Sequence, residues 1–326
     1  MFERFYRFTA PPFQLTPDSR FFYGSKGHSR AIAHLNYGLS QGEGFIIITG
    51  EVGAGKTTLV EWLRTQVDRD TYTIARVSTT QVAGDDLFRL AMAGFGLADE
   101  GLGKAALLVR FERLLQENHA AGRRCLLIVD EVQNLSVAAL EELRMLSNLA
   151  VDGRTPLQTI LLGQPQFRRI LASQSLDQLR QRVLTSYHLG PLTADETRAY
   201  VGHRLTAVGW DGDPHIEDAA FAAIHAQTDG IPRRINRLCS RVLLYGALEE
   251  AHDLTASMVE QTAQELQRDL EGSRADWSSL PPVPALSNGH ASVGSADLAH
   301  RIEALEQQMA QREQVFRRLT QMLDIR

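Results

Sequence analysis

Residues 45–49 read FIIIT, and the chain turns without a break into GEVGAGKTT, residues 50–58. No other feature restricts the fold as tightly. A continuous β-branched run with no polar alternation is a strand covered on both faces, the habit of central parallel strands in α/β proteins. After the loop, TTLVEWLRTQV carries apolar residues at 59, 60, 63 and 67, the stripe of an amphipathic helix. The loop between them fits G-x-x-x-x-G-K-[ST] at Gly50, Gly55, Lys56 and Thr57. Backbone N–H groups of such a turn form an anion-binding concavity, and the helix N-terminus adds partial positive charge. The residues expected to cradle phosphate are therefore Gly50, Glu51, Val52, Gly53, Ala54, Gly55, Lys56, Thr57 and Thr58. Lys56 is expected to reach the β- and γ-phosphates of a nucleoside triphosphate, and the Thr57 hydroxyl to bind Mg2+.

The alternation continues downstream. YTIARVS, CLLIVD, LQTILLG and YHLGPL read as strands, and DLFRLAMAGFG, AALLVRFERLLQENHAAG and VAALEELRMLSNL as helices. This predicts a doubly wound α/β core over 44–190. Residues 1–43 form an aromatic-rich lead-in, in which APPFQLTPDSRFFYG carries three prolines, followed by a helix at GHSRAIAHLNYGLSQG closed by glycine. From TADETRAYVGHRL to ELQRDL the pattern turns all helical, a small lid over 191–270. Residues 271–296 gather Ser, Pro and Gly without period and read as a disordered linker. In 297–326, Leu298, Ile302, Leu305, Met309, Phe316, Leu319 and Leu323 fall on alternating 4/3 spacing, with only Arg312 breaking the seam, which predicts a coiled-coil helix.

A phosphate loop alone gives binding; hydrolysis requires a held metal and an oriented water. CLLIVDE supplies both. Asp130 stands where an apolar strand ends and is expected to hold Mg2+ through its water shell, and Glu131, one residue on, to activate the attacking water. Composition narrows the alternatives. The net charge of −5 leaves no global electrostatic footprint for nucleic acid. The longest apolar runs are strand-sized, far below the ~20 residues of a membrane span. MFERFYRFTAPPF lacks the continuous apolar core of a signal peptide. Cys125 and Cys239 sit among apolar neighbours and read as reduced buried thiols. The expected location is cytoplasmic.

APPFQLTPDSRFFYGSKGHSRAIAHLNYGL, GEVGAGKTTL, LLIVDEVQNLSVAALEELRMLSNL, LLGQPQF, LRQRV followed by YHLGPLT, and GIPRRINRLC together resemble the AAA+ ATPases of the ExeA (general secretion pathway protein A) type. The subgroup from exosortase/PEP-CTERM exopolysaccharide loci is the nearest. The resemblance covers 1–270 and implies a homo-oligomeric, ring-forming ATPase using ATP and Mg2+. It implies a place in envelope secretion or exopolysaccharide export, reached through tail or lid, with location at the inner-membrane surface. It assigns sensor 1 to Gln164, where an amide helps orient the attacking water, against the plain reading of a loop glutamine. It sets an arginine finger at Arg180 or Arg182; Arg182 is favoured because it directly precedes the apolar strand. It assigns sensor 2 to Arg233. Longer relatives carry a membrane span and a peptidoglycan-binding domain after the lid, where this chain has a linker and a coil.

Two other readings stand beside an export ATPase. One is a DNA-associated, transposition-helper-like ATPase using the lid arginines Arg234, Arg237 and Arg241 on phosphates; a solvated helix face is the plainer reading of that stripe. The other is a nucleotide-dependent scaffold with negligible turnover, against which Glu131 argues, since a pure binder needs no base. The aromatic lead-in either lines a base pocket or packs as ordinary core, and no stacking residue is assigned.

Overall fold

The computed structural model describes residues 2–278, except 15, 17, 69, 79–83 and 98–100. In chain order the elements are α1 (Phe2–Phe5), α2 (Lys26–Gln41), β1 (Phe45–Gly50), α3 (Lys56–Gln66), β2 (Tyr72–Ser78), α4 (Gly84–Gly94), α5 (Lys104–Ala120), β3 (Arg124–Asp130), α6 (Val137–Leu146), β4 (Leu157–Gly163), α7 (Gln166–Leu171), α8 (Asp177–Arg180) and β5 (Val183–Leu189). The lid adds α9 (Ala194–Thr206), β6 (His215–Ile216), α10 (Asp218–Thr228), α11 (Pro232–Leu248), β7 (Asp253–Leu254) and α12 (Ala256–Ser278).

The sheet runs β2-β3-β4-β1-β5, with every paired neighbour parallel. Side chains alternate between its faces, and both faces are dry. Phe45 and Ile47 of β1 join one core with α4, α5 and α6, while Ile46 and Ile48 join another with α2 and α3. That division explains why the run FIIIT needs no polar position. All five strands point their carboxyl ends to one edge, where β1 runs into the glycine loop and β3 ends at Asp130. Such an edge is where α/β sheets bind ligands.

Three expectations are corrected. The last strand is Val183–Leu189, not YHLGPL. It is an edge strand whose exposure alternates, and Thr185 and Ser186 interrupt its apolar character, so it lacks the continuous run that betrays β1. The lid is not purely helical: His215–Ile216 pairs in parallel with Asp253–Leu254. Residues 271–278, read as the start of a linker, continue α12; ADW and the preceding Glu and Arg include good helix formers that a running helix recruits without a new nucleus. The rest of the linker and the coiled-coil tail lie outside the described residues.

The lead-in does not stand apart. Tyr6, Phe8, Phe13 and Phe21 are buried in the lid core with Tyr200, Leu205, Ile235 and Leu243. At the centre is Arg204, only 6% exposed. It donates to the carbonyls of Pro12 (2.6 Å) and Gln14 (3.2 Å) and to the Tyr200 hydroxyl (2.9 Å), and its guanidinium lies 4.5 Å from the Phe21 ring centroid. A proline-rich segment has few regular backbone partners, and this one arginine satisfies two of its carbonyls at once. Cys125 and Cys239 are free and buried, and burial pushes their thiols up to about 11 and about 12.

Candidate active site

The glycine loop folds as a phosphate cradle. Gly53 and Gly55 hold φ of 85° and 97°, left-handed backbone that favours glycine. Each is also closely approached. A Cβ on Gly53 would lie 2.4 Å from Arg233 Cβ, and one on Gly55 would lie 2.9 Å from His28 Nε2. Lys56 is buried and folded back on its own loop, donating to the carbonyls of Gly50 (2.7 Å) and Glu51 (3.0 Å). Burial lowers its pKa, while Glu131, Asp130 and Glu51 oppose that shift.

At the end of β3 the acidic pair divides its work. Asp130 Oδ2 accepts from the Thr57 hydroxyl at 3.0 Å, so the two groups expected at the metal face each other. This oxygen pair beside the cradle fits a hard, oxygen-seeking divalent cation such as Mg2+. Glu131 adopts φ 54°, ψ 40°, a left-handed conformation uncommon outside glycine and one that functional sites concentrate. Its Oε2 accepts from Gln164 Nε2 at 3.2 Å and from Gln133 Nε2 at 2.5 Å. Gln133 Oε1 in turn accepts the Gln164 backbone N–H at 2.9 Å. Glu131, Gln133 and Gln164 are thus one hydrogen-bonded unit joining the ends of β3 and β4.

Lid and core meet at the same place. Arg233 N–H donates to the Gly53 carbonyl at 3.2 Å and its side chain lines a cavity of about 320 Å3 with Val52, Lys56, Thr57 and Glu131. Phe21, Phe22, Tyr23, Leu192, Tyr200 and Asn236 line the same cavity. Glu196, which closes a capping box on α9, also accepts the Lys26 N–H at the start of α2 at 2.8 Å.

The two finger candidates stand elsewhere. Arg182 immediately precedes β5, and its carbonyl accepts from Phe45 N at the start of β1. The whole of β1 separates that point from the cradle, a span of roughly 20 Å at the rise of a strand. Its guanidinium donates to the Ser147 carbonyl at 2.7 Å and hydroxyl at 3.2 Å, at the end of α6. Arg180 is about half exposed and pairs with Asp177 at 2.8 Å.

Four contributors escape sequence reasoning. Arg76 on β2 donates to Asp130 Oδ2 at 3.1 Å and pairs with Glu61 of α3. Gln133 was visible only as the fourth letter of DEVQN. His28 and the stacked pair Phe22–Trp62 (centroids 5.1 Å apart) receive no role of their own from the sequence, although Phe22 and His28 lie in the lead-in stretch that carries the resemblance. Only the register of β2 against β3 could have suggested Arg76.

A family model described as an AAA domain matches residues 39–171. Over 267 residues the chain is 37% identical to general secretion pathway protein A of Aeromonas hydrophila. The chain carries an AAA domain and is ExeA-like over most of its length. The matched stretch is 82% of this chain and 48% of that relative, so the chain spans about half the relative's length. Among solved structures, the ADP form of Aeropyrum pernix ORC2 superposes with a TM-score of 0.60 at 18% identity, over 78% of this chain and 72% of that one. Thermotoga maritima RuvB, a Holliday junction branch migration motor, gives 0.51 at 21% identity, over 78% and 73%. At such identities the likeness concerns the AAA+ fold. No described helix is long and apolar enough to cross a membrane.

Proposed function

We propose that this ExeA-like AAA+ protein binds ATP with Mg2+ in the cradle of Gly50–Thr58 and hydrolyses it to ADP and phosphate. The observation that carries the reading is the joining of three parts at one sheet edge. Lys56 lies in the loop, Thr57 faces Asp130, and Glu131 stands next to it with Gln164 on its carboxylate. Bound Mg2+ would neutralise charge on the β- and γ-phosphate oxygens, held by Thr57 and, through water, by Asp130. Glu131 takes the proton of a water that attacks the γ-phosphorus, and the bond to the β-phosphate oxygen breaks. Gln164 aligns that water, and Lys56 and Arg233 offset charge on the transferring group.

The finger is proposed to act between copies. Arg182 and Arg180 sit across the sheet from their own cradle, so a γ-phosphate within reach belongs to a neighbour, which implies a head-to-tail ring. Proposed service is to an envelope export or exopolysaccharide secretion system, from the cytoplasmic side and at the inner-membrane surface, engaged through the tail or the lid. The general secretion pathway relative supports the secretion reading. The nucleic-acid alternative gains nothing, since Arg234 pairs with Asp229 and Arg241 approaches Asp269 within the lid.

The reading is tested by two variants. Lys56→Ala should lose nucleotide binding in equilibrium titration, falling on the order of a hundredfold or more, because a charge-assisted phosphate contact disappears. Glu131→Gln should keep binding and lose phosphate release by about 10²–10⁴-fold. Turnover by Glu131→Gln at the parent rate would remove Glu131 from the base role.

A further inference from the structure

We infer that His28 is a phosphate-contacting residue of the nucleotide site, an N–H donor added to the cradle from the start of α2. The inference rests on the ATP-binding reading and extends it to a residue outside the glycine loop and the strand-end acids. Ser25 caps α2, and its Oγ accepts the His28 backbone N–H at 3.2 Å. The same Oγ lies 2.8 Å from His28 Nδ1. Ser25 is only 3% exposed, so its hydroxyl proton needs an acceptor, and Nδ1 is the one at hand. Nδ1 therefore accepts, and the ring proton is on Nε2. Burial pushes the ring down to about 4, so it is neutral near pH 7 and keeps that one proton.

The Nε2 end faces the cradle. It stands 2.9 Å from the place a Cβ on Gly55 would take, and His28 lines the cavity shared with Gly53, Gly55, Lys56 and Thr57. Phe22 meets the ring edge-on, with centroids 5.6 Å apart, and fixes its plane. The first N–H groups of α3 open into the same space and have no intrahelical partner. Donors gathered from two helix starts and a lysine are satisfied together by an acceptor-rich anion, and a polyphosphate is that chemistry. Gly55 then has two duties: left-handed backbone, and room for the imidazole beside the phosphate path.

The test is competition binding on the full chain, with a fluorescent ATP analogue displaced by ATP or by inorganic tripolyphosphate. His28→Ala should weaken both competitors by the same factor, about tenfold, as loss of one hydrogen bond to a charged group implies. His28→Gln places an amide nitrogen near the position of Nε2 and should stay within about threefold of the parent. His28→Asn places its amide near Nδ1 and should behave as His28→Ala. Thermal melts without nucleotide separate folding from contact, and the Gln–Asn comparison keeps the test decisive should the alanine variant fail to fold. Equal affinity in all three variants overturns the proposal. So does a loss confined to ATP with tripolyphosphate unchanged, which would move the contact to the base or sugar. A parent protein that binds neither competitor overturns the ATP reading itself.

Discussion

The cavity has two halves built by opposite means. Its phosphate half is local: the glycine loop and the start of α3 supply Lys56 and Thr57, and the end of β3 supplies Glu131, with Asp130 hydrogen-bonded to Thr57. Its other half is assembled across the chain. The lead-in is held there by its buried aromatics and by Arg204, some 190 residues downstream, which binds the Pro12 and Gln14 carbonyls, and Tyr200 and Asn236 share one hydrogen bond at 2.8 Å. Backbone N–H groups recognise phosphate whatever the neighbouring side chains, so the first half tolerates little change in spacing and much in context. The second depends on packing among helices whose only shared feature is burial.

The largest test concerns a third place, the far edge of the sheet. Arg182→Ala should retain ATP binding and lose about 10³–10⁵-fold in phosphate release if it serves a neighbouring site. Mixed with Glu131→Gln, which keeps its arginine, activity should rise above either variant alone, because some interfaces pair an intact base with an intact finger. Loss of the bonds to Ser147 would lower stability by only about 1 kcal/mol and cannot produce complementation on mixing. No gain at any ratio, with mixed oligomers shown by cross-linking, would turn attention to Arg180.

A smaller effect separates the two halves directly. Arg204→Leu leaves the Tyr200 hydroxyl and two carbonyls without their donor, at a cost of about 3 kcal/mol. That corresponds to a fall in Tm of about 6–12 °C for a domain of this size. ATP binding should weaken while tripolyphosphate binding holds. If both fall together, the halves are mechanically one unit and the contrast drawn above is wrong.

The smallest effect is a pH dependence at their junction. His28 titrates near 6.5 unfolded and near 4 folded, so between those values the unfolded chain binds the extra proton. Its contribution is full above 6.5 and is lost as pH falls, about 2 kcal/mol of stability by pH 5. The physical cause is burial, which outweighs the opposing charge of Glu196. His28→Gln should therefore flatten the drop in Tm between pH 7 and pH 5. An unchanged slope would place the acid sensitivity in other groups.

Much of this molecule was readable before folding. FIIIT, CLLIVD and LQTILLG announced central strands because parallel strands under two helical layers admit no polar face, and the carboxyl ends of such strands are where chemistry collects. Spacing placed Lys56 and Thr57 at a turn between strand and helix, the end of an apolar strand placed Asp130 and Glu131, and the fold brings Thr57 to Asp130 at 3.0 Å. Edge strand β5 was misplaced because exposure removes the apolar run that identifies a strand. Arg76, Gln133, His28 and Arg204 were silent for another reason. Each acts through a partner distant in sequence or through a register, and a lone arginine or histidine carries no sign of whether its charge will be buried, paired or solvated. Those assignments belong to tertiary structure, which alone decides the neighbours a polar side chain must satisfy once water has left.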